Sequence, residues 1–267
     1  MIANNNARRV TIALVFAACL TTTGAAQQAR PFEPVVGQEG KDVVWVPTPQ
    51  ETVEKMLDIA KLTPQDYVID LGSGDGRNVI AAAKRGATAL GVEYNPDMVE
   101  LSKRNAAAAG VSGKATFVQG DMYQADISKA NVMALFLLPS NMMQLRSKFF
   151  NLAPGSRIVS NTFGIEGWTP DYTESLPGCT SWCTVLLWIV PAKVDGTWQT
   201  PQGALTLKQD FQMLSGMLGT TPITEGKLRG EEITFKVGNA QYTGRVKGGG
   251  IEGTVSGGGT WTARRTS

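Results

Sequence analysis

Three acidic residues, each closing a short apolar run, carry the chemistry this sequence offers. The first lies in Val68-Ile69-Asp70-Leu71-Gly72-Ser73-Gly74-Asp75-Gly76-Arg77. Here an apolar strand enters a glycine-rich turn and then a helix. Glycine lets the backbone turn sharply and approach a ligand closely. The spacing is Gly-x-Gly-x-Gly, one residue short of the dinucleotide fingerprint Gly-x-Gly-x-x-Gly. Asp70 precedes the first glycine, and a carboxylate there suits an ammonium group and repels a pyrophosphate. Glu93 ends the next apolar run and is placed to accept two ribose hydroxyls. Asp121 follows the third run in Gln119-Gly120-Asp121-Met122. It is placed to take an adenine amino hydrogen, with the Met122 thioether against the ring. Taken singly, each acid also reads as a solvated loop residue; the ordered set reads as a site.

Such a site requires strands that end side by side. The sequence predicts strands at 67–71, 89–93, 115–118 and 157–160, an apolar run at 132–138, and helices at 77–85, 96–109 and about 140–152. This alternation is the pattern of an α/β fold, a doubly wound, mostly parallel sheet with helices on both faces. Ligands of such sheets bind outside the carboxyl ends of the strands. Thr184–Pro191 reads as a further buried strand, and Met142-Met143 as core. Trp45 and Trp168 read as packing residues, with a place over the pocket as the alternative.

From about residue 195 the pattern changes. Half of the chain's 30 glycines fall in 196–267, between short alternating runs at 204–209, 212–218, 233–237, 242–246, 253–255 and 261–264. This is the signature of a small all-β meander, closed or half-closed into a barrel. The organisation read from the sequence is a targeting segment over 1–26, a linker over 27–42, an α/β domain over 43–194 and a small β domain over 195–267.

Composition narrows the chemistry. Lys+Arg number 25 and Asp+Glu 23, so the electrostatic footprint of a general nucleic-acid binder is missing and no nucleic-acid partner is expected. The chain has no histidine, which excludes imidazole bases, Ser-His-Asp triads and His-metal sites; no metal is expected. Arg8-Arg9, the apolar run Val10–Leu20 and Gly24-Ala25-Ala26 resemble a secretory signal, so export is expected, with no integral span once it is removed. A lipid anchor at Cys19 and a twin-arginine route are the variants. Cys179 and Cys183 flank Thr180-Ser181-Trp182 and are either a disulfide, which needs a turn between them, or two free thiols.

The glycine turn and strand-end acids resemble the class I S-adenosylmethionine-dependent methyltransferases over about residues 43–171. Val46-Pro47-Thr48-Pro49, the run DLGSGDGR from Asp70 to Arg77, and Leu137-Leu138-Pro139-Ser140 narrow the likeness. They are similar to a branch of small archaeal and mitochondrial protein-lysine methyltransferases with exported bacterial relatives. The resemblance implies a Rossmann-like methyltransferase fold and S-adenosyl-L-methionine as cofactor. It places Thr48, Asp70, Gly72, Ser73, Gly74, Glu93, Asp121 and Met122 around that cofactor; without it, Thr48 is only a helix cap. Two departures stand out. Asn161-Thr162-Phe163 replaces the His-Asp-Phe of many bacterial relatives, and Leu138-Pro139-Ser140 replaces the Asp/Asn-Pro-Pro-Tyr of base-methylating enzymes.

The implied reaction is in-line displacement by an amine acceptor, with protein lysine foremost. Leu138, Pro139 and Ser140 are assigned to the acceptor, alongside Leu137; the alternative for Pro139 is a plain helix start. No catalytic residue is assigned, since transfer to a neutral amine needs proximity and orientation more than a dedicated base. The alternatives are a small-molecule methyltransferase and an inactive exported binding protein. Oligomeric state is left open.

Overall fold

In the computed structural model, residues 1–2 and 32–266 are described; the rest of the targeting segment, with Arg8-Arg9 and Cys19, lies outside them. A helix α1 (Gln50–Ile59) precedes the sheet. The chain then alternates β1 (Tyr67–Leu71), α2 (Arg77–Lys84), β2 (Thr88–Glu93), α3 (Pro96–Ala108), β3 (Ala115–Gln119), β4 (Val132–Leu135), α4 (Pro139–Phe150) and β5 (Arg157–Asn161). A polar strand β6 (Tyr172–Ser175) and an apolar one, β7 (Thr184–Ile189), complete a seven-stranded sheet in the order β3-β2-β1-β4-β5-β7-β6. The first five strands of that order are parallel; β7 runs antiparallel to β5 and to β6.

The local rules account for these elements. β1 and β4 are buried along nearly their whole length, as expected of central parallel strands covered on both faces. Pro96 and Pro139 each sit in a first helical turn, where the missing N–H costs nothing. Asn95 caps α3 by accepting from Asp97 N at 2.9 Å. The chain winds from β1 outward through β2 to β3, then returns to start β4 on the other side of β1. Strand order therefore reverses between β1 and β4, and a crevice opens at their carboxyl ends.

Eight further strands follow: β8 (Gly196–Thr200), β9 (Gly203–Asp210), β10 (Met213–Leu218), β11 (Thr221–Arg229), β12 (Glu232–Val237), β13 (Ala240–Lys247), β14 (Gly250–Val255) and β15 (Thr260–Arg265). They form a closed antiparallel barrel in which β15 pairs back onto β8. Six of these strands match the alternating runs of the sequence; β8 and β11 have no counterpart among those runs. The interior is filled by alternating side chains, among them Trp198, Leu205, Leu207, Ile233, Phe235 and Trp261. Gly253 makes room for that packing, because a Cβ there would stand 2.7 Å from the Trp261 indole nitrogen. Among the described residues, no helix is long and apolar enough to cross a membrane.

Candidate active site

The glycine turn after β1 is built from three left-handed residues, Gly72, Gly74 and Gly76, with φ of 68°, 55° and 84°. The backbone there folds over the end of β2. Gly72 N and Ser73 N both donate to Val92 O, at 2.8 and 3.1 Å, and Gly76 N donates to Ser73 O at 2.9 Å. Gly74 N donates to Glu93 Oε2 at 2.9 Å. All four N–H groups are thus consumed inside the protein. A phosphate cradle would need them free. The turn instead offers Asp70, in the penultimate position of β1.

Asp70 is 2% exposed, and no cation acts on its carboxyl. Asn78 Nδ2 donates to its Oδ2 at 3.1 Å. Burial pushes the Asp70 carboxyl well above the usual carboxylate range; Asn78 opposes this, and the nearby Glu93 and Asp75 carboxylates add to it. Asp75 itself is neutralised by Arg77, whose Nε donates to Asp75 Oδ1 at 3.0 Å. The desolvated carboxylate is therefore poised for an incoming cation.

Glu93, at the end of β2, accepts Gly74 N on one oxygen and Asn95 N, at 2.9 Å, on the other. These bonds fix its orientation and leave lone pairs on both oxygens for hydroxyl donors. Asp121 is held by Lys41, whose Nζ donates to Oδ2 at 2.6 Å, and by Tyr123 N at 2.8 Å. Lys41, followed by the Tyr123 N–H, keeps the Asp121 carboxyl below its ordinary range.

These groups line two adjoining clefts. The larger, about 690 Å³ of empty space, includes Gly72, Glu93, Tyr94, Met98, Asp121 and Met122. The smaller, about 310 Å³, includes Thr48, Asp70, Gly72, Ser73, Gly74 and Asn78. Gly72, Trp45, Val46 and Phe136 line both. Together they form a concave site at the point where the strand order reverses, where sheets of this kind bind ligands.

The sequence-predicted cofactor residues converge on this pair of clefts, with two changes of detail. Ser73 turns its hydroxyl toward Gly91, where a Cβ would stand 2.6 Å from Oγ, so it supports the turn from beneath. Thr48 is buried and is not a helix cap; α1 is capped by Pro49 with no side-chain bond, and Thr48 O accepts from Arg77. Leu138, Pro139 and Ser140 open α4 and are not among the residues lining either cleft.

Sequence reasoning misses several contributors. Asn78 fixes Asp70 from the first turn of α2, and Phe136 extends β4 into both clefts. The arm from Gln38 to Trp45, most of which falls in the expected linker, covers the larger cleft. Trp45 lies so close to the turn that a Cβ on Gly74 would meet its indole nitrogen at 2.7 Å. Trp168, the other tryptophan with a possible place over the pocket, is buried against Phe150 and Phe211 instead.

An adenosyl amino acid fits this donor set on two independent observations. Asn78 Oδ1, buried in the smaller cleft's wall, has no hydrogen-bond partner within the protein, and the adjoining Asp70 carboxylate lacks its cation. An ammonium group answers both, while Glu93 supplies acceptors for a ribose diol in the larger cleft.

Comparison with known proteins agrees. A family profile described as "ANTKMT methyltransferase domain" matches residues 70–172. A "Protein-lysine N-methyltransferase" of Saccharolobus islandicus is 44% identical over 131 residues, covering 48% of this chain and 81% of the relative. A lysine N-methyltransferase of Rattus norvegicus, named for a subunit of ATP synthase, is 36% identical over 166 residues, covering 60% and 70%. Among solved structures, an "RNA methyltransferase from Salinibacter ruber in complex with S-Adenosyl-L-homocysteine" is 44% identical, with a TM-score of 0.53 over 56% of this chain and 96% of that one. The chain accordingly belongs, with its archaeal and mammalian relatives, to the class I S-adenosylmethionine-dependent methyltransferases.

Proposed function

We propose that this methyltransferase acts on the side-chain amine of lysine in a protein acceptor. Bound S-adenosyl-L-methionine supplies a methyl group already activated on a sulfonium. Asp70 and Asn78 would hold its ammonium, Glu93 its ribose hydroxyls, and Asp121 and Met122 its base. The chain's remaining task is to bring the acceptor into line and keep water out.

The observation that carries the amine reading is the character of the sheet's acceptor end. Phe136 after β4 and Asn161 and Phe163 at the end of β5 have no titratable side chain. Such a surface cannot strip a proton from a hydroxyl, but an amine needs no strong base. A lysine ammonium has a reference pKa of about 10.4. Desolvation as the amine passes from the Phe136 and Phe163 rings into the apolar end of the cleft lowers that value and favours the neutral nucleophile. The names of the archaeal and rat relatives support lysine as the acceptor.

A second reading, RNA, is favoured by the name of the Salinibacter neighbour. The near balance of 25 basic and 23 acidic residues argues against it, since phosphate contacts dominate nucleic-acid affinity. The test is incubation of the purified protein with S-adenosylmethionine carrying a labelled methyl group and either cell-extract protein or total RNA. Label on lysine by mass spectrometry is the expected result; label in RNA alone overturns it. Export is part of the proposal too. The signal-like start supports it, as does the bond joining Cys179 and Cys183, with Cα atoms 5.6 Å apart, which suits an oxidising compartment.

A further inference from the structure

Three aromatic rings meet just beyond the shared wall of the two clefts. Phe136 and Phe163 have centroids 5.9 Å apart with planes 12° from parallel. Trp182 stands 5.5 Å from each, tilted at 62° to Phe136 and 55° to Phe163. They come from three separate segments: the carboxyl end of β4, the bend just past β5, and the loop between β6 and β7. Phe136 already lines both clefts, so the ring wall begins where the cofactor cleft ends. Trp182 keeps 37% of its surface exposed although it touches both other rings.

Two strained residues hold this wall together. Thr162, a β-branched residue, takes φ of 62° and turns the chain so that Phe163 faces Phe136. Ser160 Oγ fixes that turn by donating to Phe163 O at 2.8 Å, and Thr162 N donates to Thr184 O at 2.6 Å. Trp182 takes φ of 57° inside the loop that the Cys179–Cys183 bond closes. Left-handed conformations of such residues are costly and persist where the surroundings impose them, commonly at functional sites.

We propose that Phe136, Phe163 and Trp182 are the wall that receives the acceptor lysine, and that the Cys179–Cys183 bond is the clamp that keeps Trp182 in it. The ring faces attract an ammonium, tryptophan most strongly, and the lysine methylenes pack along them. The product ammonium, with its added methyl, is held by the same faces. This inference rests on the lysine reading above, and its test separates the two.

Trp182→Leu keeps an apolar side chain but removes the ring, whereas Trp182→Phe keeps a ring. For methylation of a lysine-bearing protein, Trp182→Leu is expected to raise KM roughly tenfold with kcat little changed, and Trp182→Phe to recover most of the loss. The Cys179→Ser/Cys183→Ser double variant is expected to behave like Trp182→Leu. Cofactor affinity by calorimetry stays at the parent value in all three. Independently of turnover, titration with Nα-acetyl-lysine methylamide should move the Trp182 indole N–H resonance in the parent protein and not in the double cysteine variant. An unmoved indole resonance in the parent, or a Trp182→Leu variant with the parent's KM, overturns the proposal. Loss of cofactor binding or of any lysine methylation in the parent instead sinks the functional reading beneath it.

Discussion

Asp70 shows how a single residue can be kept unstable in order to be useful. Its carboxyl is buried without a cation, so the folded protein holds a proton there that the unfolded chain releases near the ordinary value of about 3.9. Between that value and the raised folded pKa, the folded state binds more protons than the unfolded one. Stability from this group is therefore full at low pH and declines as pH rises through the window. Cofactor binding has the opposite sign: an ammonium requires the ionised carboxylate, so affinity climbs with pH through the raised pKa, and it falls again once the ligand's own α-ammonium, with a reference pKa of about 7.7–8.0, loses its proton. Asp70→Asn removes the charge and keeps the shape. We expect its ligand-free melting temperature at neutral pH to exceed the parent's, and the pH slope from this site to vanish. Its cofactor affinity should fall roughly ten- to a hundredfold, the loss of one or more charge-assisted hydrogen bonds of ~1.5–3 kcal/mol. Melting curves over a pH series and calorimetric titration check both; equal cofactor affinity in the variant would remove Asp70 from the site.

At the scale of elements, the arm over the larger cleft is held at two points of different physics. Gly37 N and Trp45 N close it into a loop through bonds to Trp45 O and Gln38 O, at 2.8 and 2.9 Å. Lys41 ties its tip to the exposed Asp121 carboxylate and stands 5.0 Å from the Tyr94 ring centroid. Trp45 lies on the glycine turn. An exposed ion pair is screened by salt and a packed indole is not. Lys41→Ala should therefore speed cofactor release at low ionic strength and match the parent in high salt, whereas Trp45→Ala should release faster in both. Stopped-flow dissociation measures this; salt-independent behaviour of Lys41→Ala would refute the ionic latch. The arm also marks where the sequence stops being legible. β1 and the turn after it are written locally, in an apolar run that ends on alternating glycines, and the three carboxylates are readable because strand ends are periodic. The contacts of Trp45, Phe136 and Asn78 depend on which distant segments the fold brings together, and no local pattern announces them. β6 carries no strand signal because its edge position leaves Tyr-Thr-Glu-Ser polar. β11 carries little because Pro222 and Gly226 interrupt it, with register shifts against β10 and β12.

Across the whole molecule, the question is whether the barrel takes part in the cofactor site or only stands beside it. Its joint to the sheet has an aromatic centre. Phe211, in the turn between β9 and β10, stacks on Trp168 with centroids 4.9 Å apart and meets Phe150 edge-on at 5.2 Å. Arg146 lies over the same ring, at 5.7 Å. Gln212 Nε2 donates to Thr169 O at 2.6 Å, and Ala192 N donates to Gly230 O at 2.8 Å. The joint is thus packed and hydrogen-bonded, too well made for a loose tether. Yet Phe150 ends α4, a helix that runs back from the cleft, and so it marks the amino edge of the sheet, away from Asp70 and Glu93. Truncating Phe211 should then separate stability from binding. Phe211→Ala forfeits packing on two rings, at about 3 kcal/mol for an aromatic truncation of this kind. Calorimetry should show one cooperative transition in the parent resolving into two in the variant, as barrel and sheet melt apart. Cofactor affinity should be unchanged. If it falls along with the lost cooperativity, the barrel is coupled to the cofactor site through the sheet and is more than a support.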